Sequence, residues 1–346
     1  MHYELCIINI ALTFLFITLP PENKTIKHSS LTEMISRRIL RIKVLQTIYS
    51  YYQNGDGDIA KYEKELDFSI GRSYSLYFFL MQLGVDICDY AATRIENNKQ
   101  KLLATQSDLN PNTKFADNKL FAQWRENTTL QKQMTASKLS WNKYPELIKR
   151  LYNDLVQSQE YISYMEAPKA SYEADKKIAE YLYSQVICEC DLLYQTLEEM
   201  SIYWTDSAEF IIGMVLRTIE RYRIGYSSEY ALMPMYKNEE DAAFARRLFD
   251  KTVASSEEYR KLIQECTTNW DIERIAFLDI LILQTATAEI ECFPEIPLKV
   301  TFNEYIELAK NYSTSRSCTF INGVLDKITQ VLREQKRIMK VAENNA

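Results

Sequence analysis

Between Met34 and Gly55 the chain carries Arg37, Arg38, Arg41 and Lys43 and no acidic residue, although acids outnumber bases overall, 47 Asp+Glu against 41 Lys+Arg. Arg37 and Arg41 stand one helical turn apart and point the same way, beside an apolar stripe and outside it. Such a face can meet phosphates, each contact adding a salt-dependent increment to binding; it also describes an ordinary solvated basic face, and this segment alone leaves both readings open. A second cluster lies near the C-terminus, in Tyr312-Ser-Thr-Ser-Arg316-Ser-Cys-Thr-Phe320-Ile-Asn-Gly323. Its Ser and Thr residues can cap the last long helix, whose buried stripe is Ile321, Val324 or Leu325, and Ile328. Phe320 is offset from that stripe by one residue, which predicts a partly exposed ring beside Arg316. An exposed ring next to cations suits single-stranded RNA, because unpaired bases stack on rings while cations meet phosphates. The alternative for Phe320 is a ring filling a gap between helices.

Other chemistries are excluded by composition. Only seven glycines are present and the one close pair is Gly55 and Gly57, so neither a GxGxxG dinucleotide loop nor a GxxxxGK[ST] phosphate loop can be written. The two histidines are His2 and His28; if the first 33 residues are dispensable, no imidazole is left for a Ser-His-Asp or Cys-His arrangement or for a His-ligated zinc. The seven cysteines form one CxC and no CxxC, which predicts buried thiols of a reducing cytoplasm with no disulfide framework and no metal. Asn54-Gly-Asp-Gly-Asp58 followed by Glu65 looks like part of a calcium loop, but Ile59 stands where the sharp turn needs glycine. A loop ending in a helix N-cap is the expected form. No catalytic residue and no cofactor are predicted.

The elements that position these residues are helices. Low glycine, eight prolines and apolar residues three and four apart predict a nearly all-α fold. The first helix is expected over about Ser36 to Tyr52, with Ile35, Ile39, Ile42, Leu45, Tyr49 and Tyr52 as one buried stripe. Helical patterns follow at Ile59 to Asn97, Trp141 to Met165, Tyr172 to Tyr203 and Ser207 to Arg223. Lys99 to Ser140 reads as a long exposed connection. After Gly225 to Asn238 come helices at Glu239 to Val253, Ser256 to Glu265, Asp271 to Ile290, Phe302 to Lys310 and Ser315 to about Met339, with Pro294 and Pro297 between the third and fourth. The apolar run Cys6 to Leu19 lacks a basic flank and a small-residue cleavage pattern and is too short to span a bilayer. It is read as part of a dispensable extension, with export as the lesser reading, and no membrane association is expected.

Arg37-Arg38-x-x-Arg41 followed by Leu45-Gln46-x-x-Tyr49 resembles the opening helix of the bacterial NusB transcription antitermination family. The C-terminal third is similar at more positions: Arg274-Ile275-Ala276-x-x-Asp279-x-x-Ile282-Leu283, Ile296-Pro297-Leu298-Lys299-Val300, Asn303-Glu304-x-Ile306-Glu307-Leu308-Ala309-Lys310 and Phe320-Ile-Asn-Gly-Val-Leu-Asp326-Lys327 follow the family's order and spacings. The resemblance covers about Ile35 to Gln53 and Glu239 to Thr329. It implies two packed helical bundles of NusB type, enlarged here by a helical insertion. The expected segments are a dispensable extension (1–33), the first helix (34–53), the insertion (54–238), a C-terminal bundle (239–332) and a basic then polar tail (333–346). The implied function is non-enzymatic: binding boxA elements of ribosomal RNA leader transcripts together with the ribosomal protein NusE, within an antitermination complex on RNA polymerase in the cytoplasm. Position by position, Arg37, Arg38 and Arg41 match the family's RNA-binding helix, Tyr312 the aromatic ending the Ala-Lys helix, and Phe320 the ring along RNA, with Arg316 beside it. Tyr49 and Asp279 match the face that meets NusE. Arg316 stands where the family commonly has an acidic or polar residue, and Gln284 where it usually has Arg. Two other classes are weighed. A ribosomal RNA methyltransferase, to which such domains are found fused, is opposed by the lack of a Gly-rich cofactor loop, a Pro-Cys dipeptide and any α/β pattern. A protein-interaction scaffold would use the insertion as its working surface.

Overall fold

The first helix, α1 (Arg37–Asn54), is closed in on nearly every side. Leu40, Val44, Ile48 and the predicted Ile39, Ile42 and Leu45 are all buried, and so are Arg41 and Lys43. The expectation of a single stripe flanked by a solvated basic face is therefore corrected: α1 is a core helix, and the charged residues on its inner side must be satisfied inside the protein. The computed structural model describes residues 37–55, 57–267, 275–314 and 316–338. The readings made for residues 1–33, for Ile35, Asp56, Asp271, Arg274 and Ser315, and for the tail from Met339 lie outside these. Among the described residues there is no β-strand.

In chain order, α2 (Ile59–Lys99) follows α1 across a turn in which Gly55 and Gly57 take φ of +62° and +70°, a backbone region open to glycine at no steric cost. Asp58 then caps α2, its carboxylate accepting from the Lys61 backbone N–H at 3.2 Å, the predicted loop with an N-cap. Next come α3 (Lys119–Glu126), α4 (Thr128–Ser137), α5 (Pro145–Val156), α6 (Gln159–Glu166), α7 (Tyr172–Tyr181), α8 (Asp191–Met200) and α9 (Ala208–Arg221). The C-terminal set is α10 (Glu239–Ala254), α11 (Ser256–Cys266), α12 (Phe277–Cys292), α13 (Leu298–Tyr312) and α14 (Ser317–Glu334). The helices belong to two compact units, one made of the described residues up to Ile70 and from Tyr236 onward, the other of Gly71–Met235.

In the first unit α12 is the central helix. Every residue from Asp279 to Ile290 is buried, because α1, α10, α11, α13 and α14 all pack on it. Its polar residues are provided for locally. Thr285 and Thr287 donate to the carbonyls of Leu281 and Leu283 at 2.7 Å, and Gln284 donates to the Ser256 carbonyl at 2.8 Å. The Gln284 side-chain amide is thus satisfied by a backbone carbonyl.

The second unit corrects the expected Lys99 to Ser140 connection. Phe115, Leu120, Phe121, Trp124 and Leu130 are at most 1% exposed, so this polar-looking stretch supplies a large part of a core. Asn118 and Asn127 cap α3 and α4 through their side chains; the polar residues are helix starts, and the apolar ones between them point inward. Two long expected helices are also interrupted. The Trp141–Met165 pattern breaks before Pro145 and at Ser158, and the Tyr172–Tyr203 pattern passes through a π-turn at Leu182–Ile187 and stops at Cys190. Of the cysteines, Cys88, Cys188, Cys190 and Cys266 are buried free thiols. Burial pushes the Cys88 thiol up to about 12.

At the π-turn, Tyr183 reaches into α2. Its hydroxyl accepts from the Gly84 N–H at 3.1 Å and donates to the Leu80 carbonyl at 2.7 Å, entering the ladder of α2 at that step. A methyl group on Gly84 would lie 2.5 Å from that hydroxyl and 2.7 Å from the Phe121 ring. Gly84→Ala should therefore destabilise the protein by about 1–3 kcal/mol through overpacking, although helix propensity alone favours alanine by about 1 kcal/mol. A urea midpoint raised in Gly84→Ala would contradict this close approach.

Candidate nucleic-acid interface

The three arginines of α1 lie within about one turn of each other on one side of the helix, and they meet different surroundings because Arg37 and Arg38 stand at the helix start whereas Arg41 lies one turn further in. Arg41 points inward. Its Nε and Nη2 bond the two carboxylate oxygens of Glu289 at 2.6 and 2.8 Å, with exposures of 3% and 0%. Glu289 also accepts from the Thr301 hydroxyl at 2.9 Å and the Tyr305 hydroxyl at 3.1 Å. Burial by itself would lower the Arg41 pKa, but the charge of Glu289 and its hydrogen bonds outweigh it, and the net shift is upward. Desolvation, and then the charge of Glu289, drives Tyr305 well above its ordinary value. This is a filled, charge-paired core site. Its arginine has no edge left for a phosphate, contrary to the outward orientation expected from the sequence.

Arg37 and Arg38 lie nearer the surface. Arg37 bonds Asp241 at 2.8 Å and Glu295 at 3.4 Å and lies 5.2 Å from the Phe244 ring centroid. Arg38, with half its side chain exposed, makes a forked pair with Glu304 at 3.1 and 3.2 Å. Glu304 in turn approaches Arg41 Nη1 at 3.7 Å. The acids that face these arginines come from α10, α13 and the proline-bearing turn before α13. Composition along α1 does not reveal them, nor Glu289, because all of these acids come from far along the chain.

At the other end of the C-terminal bundle, Phe320 is partly exposed on the first turn of α14 and Arg316 is exposed just before it. Among the described residues Arg316 makes no salt bridge. Tyr312, the last residue of α13, is 6% exposed and so contributes to the core and not to an open ring surface. The expected Ser/Thr cap of α14 does not form. The hydroxyls of Ser313 and Thr314 lie 3.0 and 2.9 Å from that of Ser317, which donates to Asp279 at 2.8 Å. Asp279 is 5% exposed, and it ties the start of α12 to the start of α14.

Tyr49 and the start of α12 are brought together as a separate aromatic face. The Tyr49 ring lies 5.9 Å from that of Phe277, and Tyr52 lies 6.4 Å from the same ring at a steep angle. Phe277 is 39% exposed. Phe277 is not among the residues that the sequence singles out; its exposure at the first residue of α12 emerges from packing.

An arginine-bearing core helix, an Ala-Lys helix and a last helix that opens on an exposed Arg and a partly exposed Phe belong to an all-helical architecture with no catalytic constellation among the described residues. The NusB family model matches residues 211–330, a match that begins within the segment expected to be insertion. The transcription antitermination protein NusB of Salinibacter ruber is 43% identical over 108 residues, 31% of this chain and 68% of that protein. The proteins of the same name from Thermodesulfovibrio yellowstonii and Heliobacterium modesticaldum are 39% identical over 94 residues and 32% identical over 133, spanning 62% and 65% of their lengths. No solved structure matches. The chain belongs to the NusB family, a family of transcription antitermination factors and not of enzymes. No described helix is long and apolar enough to cross a membrane.

Proposed function

We propose that this protein acts in transcription antitermination by binding boxA-type elements of ribosomal RNA leader transcripts together with NusE, as part of an antitermination complex on RNA polymerase in the cytoplasm. The observation that carries this reading is the relation to NusB proteins at up to 43% identity, with a family match over residues 211–330 that includes the helix presenting Arg316 and Phe320. The RNA surface consists of Arg38, Arg316 and Phe320, with Arg37 at its edge. Arg41 and Tyr312 act as positioning residues, since both are buried. The NusE face is the Tyr49–Phe277 pair with Asp279, two residues further along α12. Free thiols support a reducing compartment.

Phe320→Ala should lose about 1–3 kcal/mol of RNA affinity if a base stacks on the ring. Arg38→Ala should reduce the slope of log K against log salt by about 0.7, the increment for one phosphate of a single strand. Both are read by anisotropy of a labelled RNA across a salt series. Unchanged affinity in Phe320→Ala would remove this ring from the site.

A further inference from the structure

The arginines of α1 do not make a net positive patch. Within ion-pair distance the three guanidiniums of Arg37, Arg38 and Arg41 meet four carboxylates, those of Asp241, Glu289, Glu295 and Glu304. Glu289 is fully buried against Arg41 and belongs to the core. Glu304 is different: its side chain is 20% exposed and it holds the most exposed of the three arginines through both oxygens. A carboxylate forked on a guanidinium occupies the same edge that a phosphate would take, since both anions present two oxygens to parallel N–H groups.

We propose that Glu304 is a built-in competitor of RNA: a phosphate binds Arg38 by taking the place of the Glu304 carboxylate, and Glu295 does the same more weakly at Arg37. The inference rests on Arg38 being an RNA contact, as proposed above. Part of each phosphate contact replaces an existing ion pair, so the free protein has a low affinity for RNA in bulk. Detectable binding then depends on contacts outside the arginine helix, such as stacking on Phe320.

The test is a double-mutant cycle between Glu304→Gln and Arg38→Ala, read by anisotropy with a boxA-containing RNA and a scrambled RNA of equal length at two salt concentrations. Melting temperature is followed alongside, and Glu295→Gln serves as a second variant. Releasing an ion pair of this exposure should raise the affinity of Glu304→Gln for both RNAs roughly two- to five-fold at low salt. In the Arg38→Ala background the same substitution should gain little, because the group it frees is gone. Glu295→Gln should shift affinity in the same direction by less. Unchanged or weaker binding by Glu304→Gln at an unchanged melting temperature would overturn the proposal. So would an equal gain with and without Arg38, which would mark the effect as long-range charge alone. A wild-type protein that binds both RNAs equally would contradict the boxA reading but leave the competition at Arg38 to stand or fall on the cycle.

Discussion

Arg41→Ala should lower folding stability by about 3–5 kcal/mol, the usual consequence of removing one partner of a buried ion pair. The cause is the carboxylate left behind. Glu289 is 0% exposed on the central helix α12, and without the guanidinium it keeps only the hydroxyls of Thr301 and Tyr305. Two neutral donors do not compensate a desolvated charge. Arg38→Ala, at a partly exposed pair, should cost about 1 kcal/mol or less. Urea unfolding of the two variants checks the contrast. Equal midpoints for Arg41→Ala and Arg38→Ala would place Arg41 at the surface, as the sequence alone first indicates.

Trp124→Ala should cost a similar amount, about 3–5 kcal/mol, as is usual for truncating a buried Trp or Phe. Trp124 is 0% exposed and its ring lies within 6.3 Å of the rings of Phe121, Tyr183 and Tyr222. Its indole N–H is buried with no partner, which makes a second variant informative. Trp124→Phe leaves a smaller cavity and also removes a desolvated donor, so it should cost clearly less than Trp124→Ala. A mild effect of Trp124→Ala would mean that the stretch from Lys99 to Ser140 is the exposed connection its composition resembles.

These two residues mark where the sequence is legible and where it is not. Helix existence and order follow from periodicity, and the starts of α2, α10 and α11 fall at the residues expected. The C-terminal motifs identify the family because they combine many fixed spacings. What periodicity misses is burial set by neighbours far along the chain. The partner of Arg41 is 248 residues away, so a run of arginines without nearby acids reads as an exposed basic face when its acids arrive from α12 and α13. In α3 and α4 the asparagines are caps and short helices leave few turns for a pattern, so Phe121 and Trp124 look isolated in a polar stretch. The candidate site is legible in part. Arg316 and the partial exposure of Phe320 follow from the offset against the stripe of α14, whereas Phe277, Glu289 and Glu304 emerge only from packing.

The proposed selective recognition of RNA, assisted by NusE, is best tested by anisotropy of a labelled boxA-containing RNA against a scrambled one, with and without NusE, at two salt concentrations. A preference for boxA that tightens when NusE is added and weakens with salt is expected. Equal, weak binding to both RNAs, unaffected by NusE, would contradict it.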